Sequence, residues 1–204
     1  MARGSGAGRP PAADSAATRD ALIQACWDGL LRSSSDGGTV TVASICRAAG
    51  CTPPTLYHHF ANLEELRRSA CGRAFEDWSR DIDLRLGSND SPAERLRLRA
   101  QAYFDWGTAN PAAYRVLFLA DTPVTGATSQ PGRGFDALVA DLATLMGRAP
   151  EDPFIATAAL AHWAAVHGLT TFAITTPGVP THVWRDTLGY LTNALSGVAQ
   201  PEAS

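Results

Sequence analysis

Between Asp36 and Glu64 the chain carries no acid, and within that stretch Thr41, Thr52, Thr55, Tyr57, His58 and His59 supply hydroxyls and imidazoles. Such groups can bond to phosphate oxygens and to base edges, and no carboxylate in the run repels a polyanion. Catalysis and metal binding need other arrangements, which the sequence lacks. It holds no Gly-x-Ser-x-Gly, no phosphate-binding Gly loop and no His-Glu-x-x-His. His162 and His167 stand five apart, off the i, i+4 spacing of a metal pair on a helix. Four cysteines occur at 26, 46, 51 and 71, and Cys46-x4-Cys51 is not a zinc spacing. Cys26, Cys46, Cys51 and Cys71 read as small core residues, with a thiol sensor as the sharper alternative. No catalytic residue, metal or cofactor is therefore expected.

Two short helices must position the hydroxyls and imidazoles. Thr41 is a suitable N-cap for the first, and Val42, Ile45 and Ala49 then recur on one face. Gly50 follows the last periodic residue, where a left-handed conformation is cheap only for Gly. Thr52 can cap the second helix, with Pro53 and Pro54 in its first turn, where a missing N–H costs nothing inside the helix. Pro54 has no N–H to offer, so Thr52 is expected to cap toward Thr55. Leu56 and Phe60 lie four apart and face inward, which leaves Thr55, Tyr57, His58 and His59 on the outside or the flank. Helices this short do not hold themselves in water. Ser15 to Ser33 reads as a first helix whose rows Leu22, Cys26, Leu30 and Ile23, Trp27, Leu31 bury them. Asn62 caps a fourth helix that runs to about Leu86, with Leu66, Ala70, Ala74 and Trp78 on one face.

Further helices follow: one opened by Ser91-Pro92-Ala93-Glu94, a short one after Asn110-Pro111, one over about Phe135 to Met146, one from Phe154 to Thr175, and a last one after Pro180. Residues 121 to 134 read as a loop. Phe75, Trp78, Tyr103, Phe104, Trp106, Tyr114, Phe118, Trp163 and His167 fall on the middle helices, more aromatic rings than a small helical core requires. Together they suggest a largely apolar cavity for an uncharged or weakly polar ligand, ring-containing or acyl-like. In the last helix Trp184, Leu188, Leu191 and Leu195 form a narrow apolar stripe. Two long helices at the end of a chain make a natural half of a four-helix bundle, and the stripe is expected to meet its own copy in a two-fold dimer.

Gly50 to Leu66, with Thr-Leu-Tyr-His-His-Phe followed by Asn-Leu-Glu-Glu-Leu, resembles the helix-turn-helix signature of the TetR family of transcriptional regulators. Asn110-Pro111 with Tyr114-Arg115 and Phe118, and the run holding Trp163, His167 and Gly168, resemble the C-terminal domain of the WHG subgroup. The resemblance implies an all-α fold, a three-helix DNA-binding head on a larger helical domain for ligand binding and dimerisation. It also implies DNA contacts from Thr41, Thr52, Pro53, Pro54, Thr55, Tyr57, His58 and His59. Two departures stand out. Family members usually place a phosphate-touching Lys at the start of the fourth helix, where this chain has Leu63. Pro53 and Pro54 also remove two backbone donors.

The chain has 204 residues and a net charge of −3, unusual for a nucleic-acid binder. Residues 1–65 hold five Arg and six acids, whereas residues 151–204 hold one Arg and four acids, so the acidity concentrates away from the head. All 17 basic residues are Arg, whose planar fork suits phosphate and guanine. Residues 1 to 14 are expected to form a disordered arm in which Arg3 and Arg9 could reach a minor groove. The head is expected over 15–61 and the larger domain over 62–199. No apolar run approaches a membrane span and no signal-peptide core opens the chain, so a cytoplasmic protein is expected. The expected function is that of a homodimeric repressor of double-stranded operator DNA, released by a small-molecule effector. A ligand-independent or thiol-responsive regulator, an α-helical enzyme and a helical interaction module without DNA binding are the alternatives.

Overall fold

The structure, a computed structural model, describes residues 12–86, 91–119 and 133–198. Every element among them is helical: α1 (Ala12–Asp36), α2 (Val42–Ala49), α3 (Pro53–His59), α4 (Leu63–Leu84), α5 (Pro92–Ala109), α6 (Pro111–Tyr114), α7 (Arg133–Met146), α8 (Pro153–Thr175) and α9 (Thr181–Val198). A π-helical turn, Arg115–Leu119, continues α6. The chain divides into two compact units, Met1–Ala74 and Phe75–Ser204. Arg3 and Arg9 of the expected arm, and most of the expected loop over 121–134, lie outside the described residues.

In the first unit, the short helices are held as their caps and faces demand. The Thr41 hydroxyl accepts from Ser44 N at 3.2 Å, and the Ser44 hydroxyl accepts from Thr41 N at 3.0 Å, a reciprocal capping box. Gly50 ends α2 at φ 66°, and the Cys51 N–H returns to the Cys46 carbonyl at 3.0 Å. Leu22, Cys26, Ile45, Cys46, Leu56, Phe60, Leu66 and Ala70 then form one core, so α1 and α4 bury what the short helices cannot. Helix α1 starts three residues before the expected Ser15 and ends three after Ser33. The Arg19 guanidinium lies 5.0 Å over the Phe60 ring, which ties α1 to the end of α3.

In the second unit, α5 and α8 form the central pair, with α7 and α9 packed on both. Ser91 caps α5 by accepting from Glu94 N at 3.2 Å, and Asp152 caps α8 by accepting from Phe154 N at 2.9 Å. The two helices cross at Gly107. A Cβ there would stand 2.6 Å from Thr170 Cγ2 and 3.0 Å from the Tyr114 ring, and both Thr170 and Tyr114 are fully buried. The last helix packs on this central pair. Leu188 is 2% exposed within the core of its own chain, and Trp184 and Leu191 pack against that core. The chain itself thus buries Leu188 and leaves Trp184 and Leu191 half-buried. The Leu195 side chain lies outside the described residues.

Gly107→Ala tests the crossing. Alanine should gain about 1 kcal/mol of helix propensity over glycine, but overpacking against Thr170 and Tyr114 should cost about 1–3 kcal/mol. A net loss in a urea titration is expected. A raised midpoint would show that α5 and α8 yield at this point.

Candidate functional site

Helix α3 presents its polar residues as its two buried anchors require. Leu56 and Phe60 are at most 1% exposed, so the other side of the helix turns outward. Tyr57 is 52% exposed, Thr52, Pro53, Pro54 and His58 are exposed, and Thr55 and His59 are half-buried. The His58 and His59 rings meet edge to face at 5.3 Å. Thr52 does not cap the backbone of α3. Its hydroxyl instead lies 3.0 Å from the Thr55 hydroxyl, a side-chain partner that takes the place of the expected Thr55 N–H. Thr41 is exposed, but its hydroxyl already donates to and accepts from Ser44 in the capping box. Leu63 packs against the core of the unit, so the position where a phosphate-binding cation was missed is an apolar anchor. Glu65 is engaged in capping, its carboxylate accepting from Ala61 N at 2.6 Å and its own N–H donating to Asn62 at 2.8 Å.

The second unit holds a cavity of about 340 Å³. Its walls come from α4 (Phe75, Trp78, Ile82), α5 (Arg99, Ala100, Tyr103), the π-helical turn (Phe118), α7 (Gly134, Phe135, Leu138) and α8 (Leu160, His162, Trp163, Val166). Five of the aromatic residues expected there, Phe75, Trp78, Tyr103, Phe118 and Trp163, do line it. The other four lie behind the wall. Phe104 and Tyr114 are fully buried, Trp106 packs 5.5 Å from Trp78, and His167 is stacked between Trp163 at 5.2 Å and Tyr114 at 5.5 Å. His167 Nδ1 lies 2.8 Å from the Tyr103 hydroxyl and 2.7 Å from that of Tyr114, which also reaches Thr171 at 3.1 Å. Burial lowers the pKa of His167 and raises both phenols, so this network is neutral near pH 7.

Arg99 and His162 are the polar lining residues absent from the aromatic set. Arg99 Nη1 is 3.0 Å from Asp83, and its Nη2 is 3.7 Å from Asp141, which also accepts from Arg95 Nε at 2.6 Å. His162 is 5% exposed, and burial holds its pKa down at about 4. It has no hydrogen-bond partner among the described residues. The i+3/i+4 register of α8, through Ile155, Ala159, Val166 and Thr170, marks His162 as inward. Its part in the wall follows only from how α4, α5 and α7 surround it.

Burial also pushes the Cys26 thiol up to about 12 and those of Cys46 and Cys71 up to about 11. No group of three or more His, Cys, Asp or Glu that could hold a metal occurs among the described residues. No described helix is long and apolar enough to cross a membrane.

A helix-turn-helix head followed by a larger helical unit is the architecture of a transcriptional regulator. A family model described as "Bacterial regulatory proteins, tetR family" matches residues 38–70, and one described as "Tetracyclin repressor-like, C-terminal domain" matches residues 96–188. The chain belongs to the TetR family of transcriptional regulators, which are not enzymes. It is 28% identical over 163 residues to Rv0681, an uncharacterized HTH-type transcriptional regulator of Mycobacterium tuberculosis, covering 78% of this chain and 71% of that one. A similar regulator of the same species, MT1294, is 28% identical over 118 residues, and the match covers 58% of this chain and only 57% of that relative's length. Among solved structures, the complex of RolR with resorcinol shares the fold at a TM-score of 0.63 and 20% identity, covering 95% of this chain and 92% of that one.

His162 has a consequence for stability. Its folded pKa of about 4 lies below the ordinary 6.5, so the unfolded chain takes up a proton first as pH falls. Its effect is absent above pH 6.5 and grows as an increasing loss of stability from there down to about 4. At about 1.36 kcal/mol per unit, that loss is on the order of 3 kcal/mol. His162→Leu should flatten this part of the stability profile relative to the native chain. Parallel urea-derived profiles between pH 7 and pH 4 would show that the imidazole is not buried in neutral form.

Proposed function

We propose that this protein is a homodimeric repressor that binds double-stranded operator DNA through α2 and α3 and leaves it when a small, largely apolar ligand enters the cavity of the second unit. The observation that carries the reading is that cavity: a space of about 340 Å³, walled mainly by apolar side chains, in a chain whose head is a capped helix-turn-helix. Pockets of this kind, largely preformed and apolar with a few polar groups, are what small-molecule sites look like. RolR, of the same fold, has been seen with resorcinol. The thiol-responsive alternative draws no support from Cys26, Cys46 and Cys71, which burial keeps protonated at neutral pH.

The exposed Tyr57, Thr52, His58 and the flanking Thr55 and His59 are the groups offered to DNA, with Pro53 and Pro54 shaping the start of the helix. Thr41 acts chiefly as the cap that presents α2, since its hydroxyl is engaged. In a dimer the two recognition helices must stand about one helical turn apart, roughly 34–36 Å, to enter successive major grooves. The boundary between the two compact units falls inside α4, which makes α4 the covalent path from cavity to head. Ligand binding changes the spacing only if the ligand favours one state over the other.

For the dimer, the half-buried Trp184 and Leu191 are joined by what α8 and α9 leave exposed. Phe172 is 60% exposed and Tyr190 78%, and α8 carries apolar residues on every side, as a helix covered from two directions does. Cytoplasmic location follows from the role as a regulator of DNA.

A gel shift with the DNA flanking the coding sequence tests the central reading. Tyr57→Ala and Thr52→Ala should each weaken binding by about 1–3 kcal/mol with unchanged circular dichroism. Undiminished affinity in both variants would remove α3 from the interface. Light scattering of Phe172→Arg/Tyr190→Arg should show monomers where the native chain is a dimer. An intact dimer in the double variant would place the contact elsewhere.

A further inference from the structure

The cavity wall is not uniform, and its polar part narrows what can occupy it. This inference rests on the reading of the cavity as the effector site. His162 is 95% withdrawn from solvent, lines the cavity, and has no partner in the protein among the described residues. A buried polar group without a partner is costly, and a ligand that supplies one recovers that cost on binding. Burial keeps the ring neutral, so it offers one N–H donor and one acceptor nitrogen. It can therefore meet a hydroxyl or a carbonyl.

The charged residue in the wall, Arg99, does not call for an anion. Arg99 faces Asp83 at 3.0 Å and Asp141 at 3.7 Å, and Arg95 shares Asp141 at 2.6 Å. Two guanidinium groups meet two carboxylates, and no surplus positive charge remains to compensate a desolvated carboxylate or phosphate. Size sets the third limit. An apolar cavity of about 150 Å³ takes the six carbons of one benzene ring, so about 340 Å³ suits two or three fused rings. A rigid four-ring system exceeds it.

We propose that the effector is an uncharged compound of two or three fused rings bearing one hydroxyl or carbonyl, which hydrogen-bonds to His162 while the rings pack among Trp78, Phe118 and Trp163. His162 is the residue that separates a hydroxylated ring from a bare one.

Equilibrium dialysis of the full-length protein at neutral pH tests this with four probes: 2-naphthol, naphthalene, 2-naphthoate and 1-pyrenol. 2-Naphthol should bind about tenfold more tightly than naphthalene, the worth of one hydrogen bond in a closed site. It should exceed 2-naphthoate by at least as much, and 1-pyrenol should not be retained. His162→Leu should bring 2-naphthol down to the level of naphthalene without loss of the naphthalene affinity. His162→Gln, which keeps a donor and an acceptor, should retain most of the difference. Equal binding of 2-naphthol and naphthalene, tightest binding of 2-naphthoate, a preference that survives in His162→Leu, or no retention of any probe would each overturn the proposal. The dialysis contains no DNA. If 2-naphthol binds as stated while an operator complex persists in its presence, the ligand class stands and the release mechanism fails.

Discussion

The crossing of α5 and α8 at Gly107 is the constraint on which the second unit depends. Without a side chain at that point, Thr170 and the Tyr114 ring can both approach the backbone of α5. Tyr114 then brings its hydroxyl to His167 and Thr171, and Tyr103 reaches the same imidazole from one helical level away. The result is a neutral, hydrogen-bonded seam between two long helices. It fixes Tyr103 and Trp163 as rigid parts of a cavity wall. A cavity persists in a close-packed interior only where its walls are held by something other than collapse onto the empty space, and this seam supplies that hold.

The aromatic cluster next to the seam is built by the π-helical turn Arg115–Leu119. That turn sets Phe118 within 6.1 Å of Phe75, 5.4 Å of Trp78, 5.6 Å of Tyr103 and 5.0 Å of Tyr114. A regular α-helix would carry the residue to a different angle, and π-turns are often found where a helix serves a site rather than its own stability. The chemistry of the unit is therefore recognition: neutral rings, one unpartnered imidazole and a charge-balanced group of arginines and aspartates. Raised phenols and a neutral histidine without a carboxylate beside it are poor material for catalysis at neutral pH.

The head follows a different logic. Its two short helices own little surface of their own and are held by α1 and by the start of α4, through a single core that runs from Leu22 to Ala70. Caps rather than length determine where they begin and end. The same economy of contacts leaves Tyr57 and His58 outward, since everything on the other side of α3 is committed to Leu56 and Phe60. The placement of Leu63 in that core shows that stability, not phosphate contact, claims the first position of α4.

Local physics determined the head almost entirely from sequence. Thr41, Gly50, the paired prolines and Asn62 act on backbone groups a few residues away, and the spacing of Leu56 and Phe60 alone assigns one face of α3. The all-α architecture was equally legible, because helical periodicity is carried by neighbours three and four residues apart. Tertiary structure alone decided the rest. Nine aromatic residues on the middle helices announced a cavity, but which five line it and which four stand behind depends on where α5 and α8 cross. The stripe Trp184, Leu188, Leu191 reads the same whether it covers its own core or another subunit, since periodicity reports a buried face and not what buries it. His162 and Arg99 entered the wall for the same reason: their neighbours there come from helices distant in sequence, and a distance between α4, α5, α7 and α8 is written in no single segment of the chain.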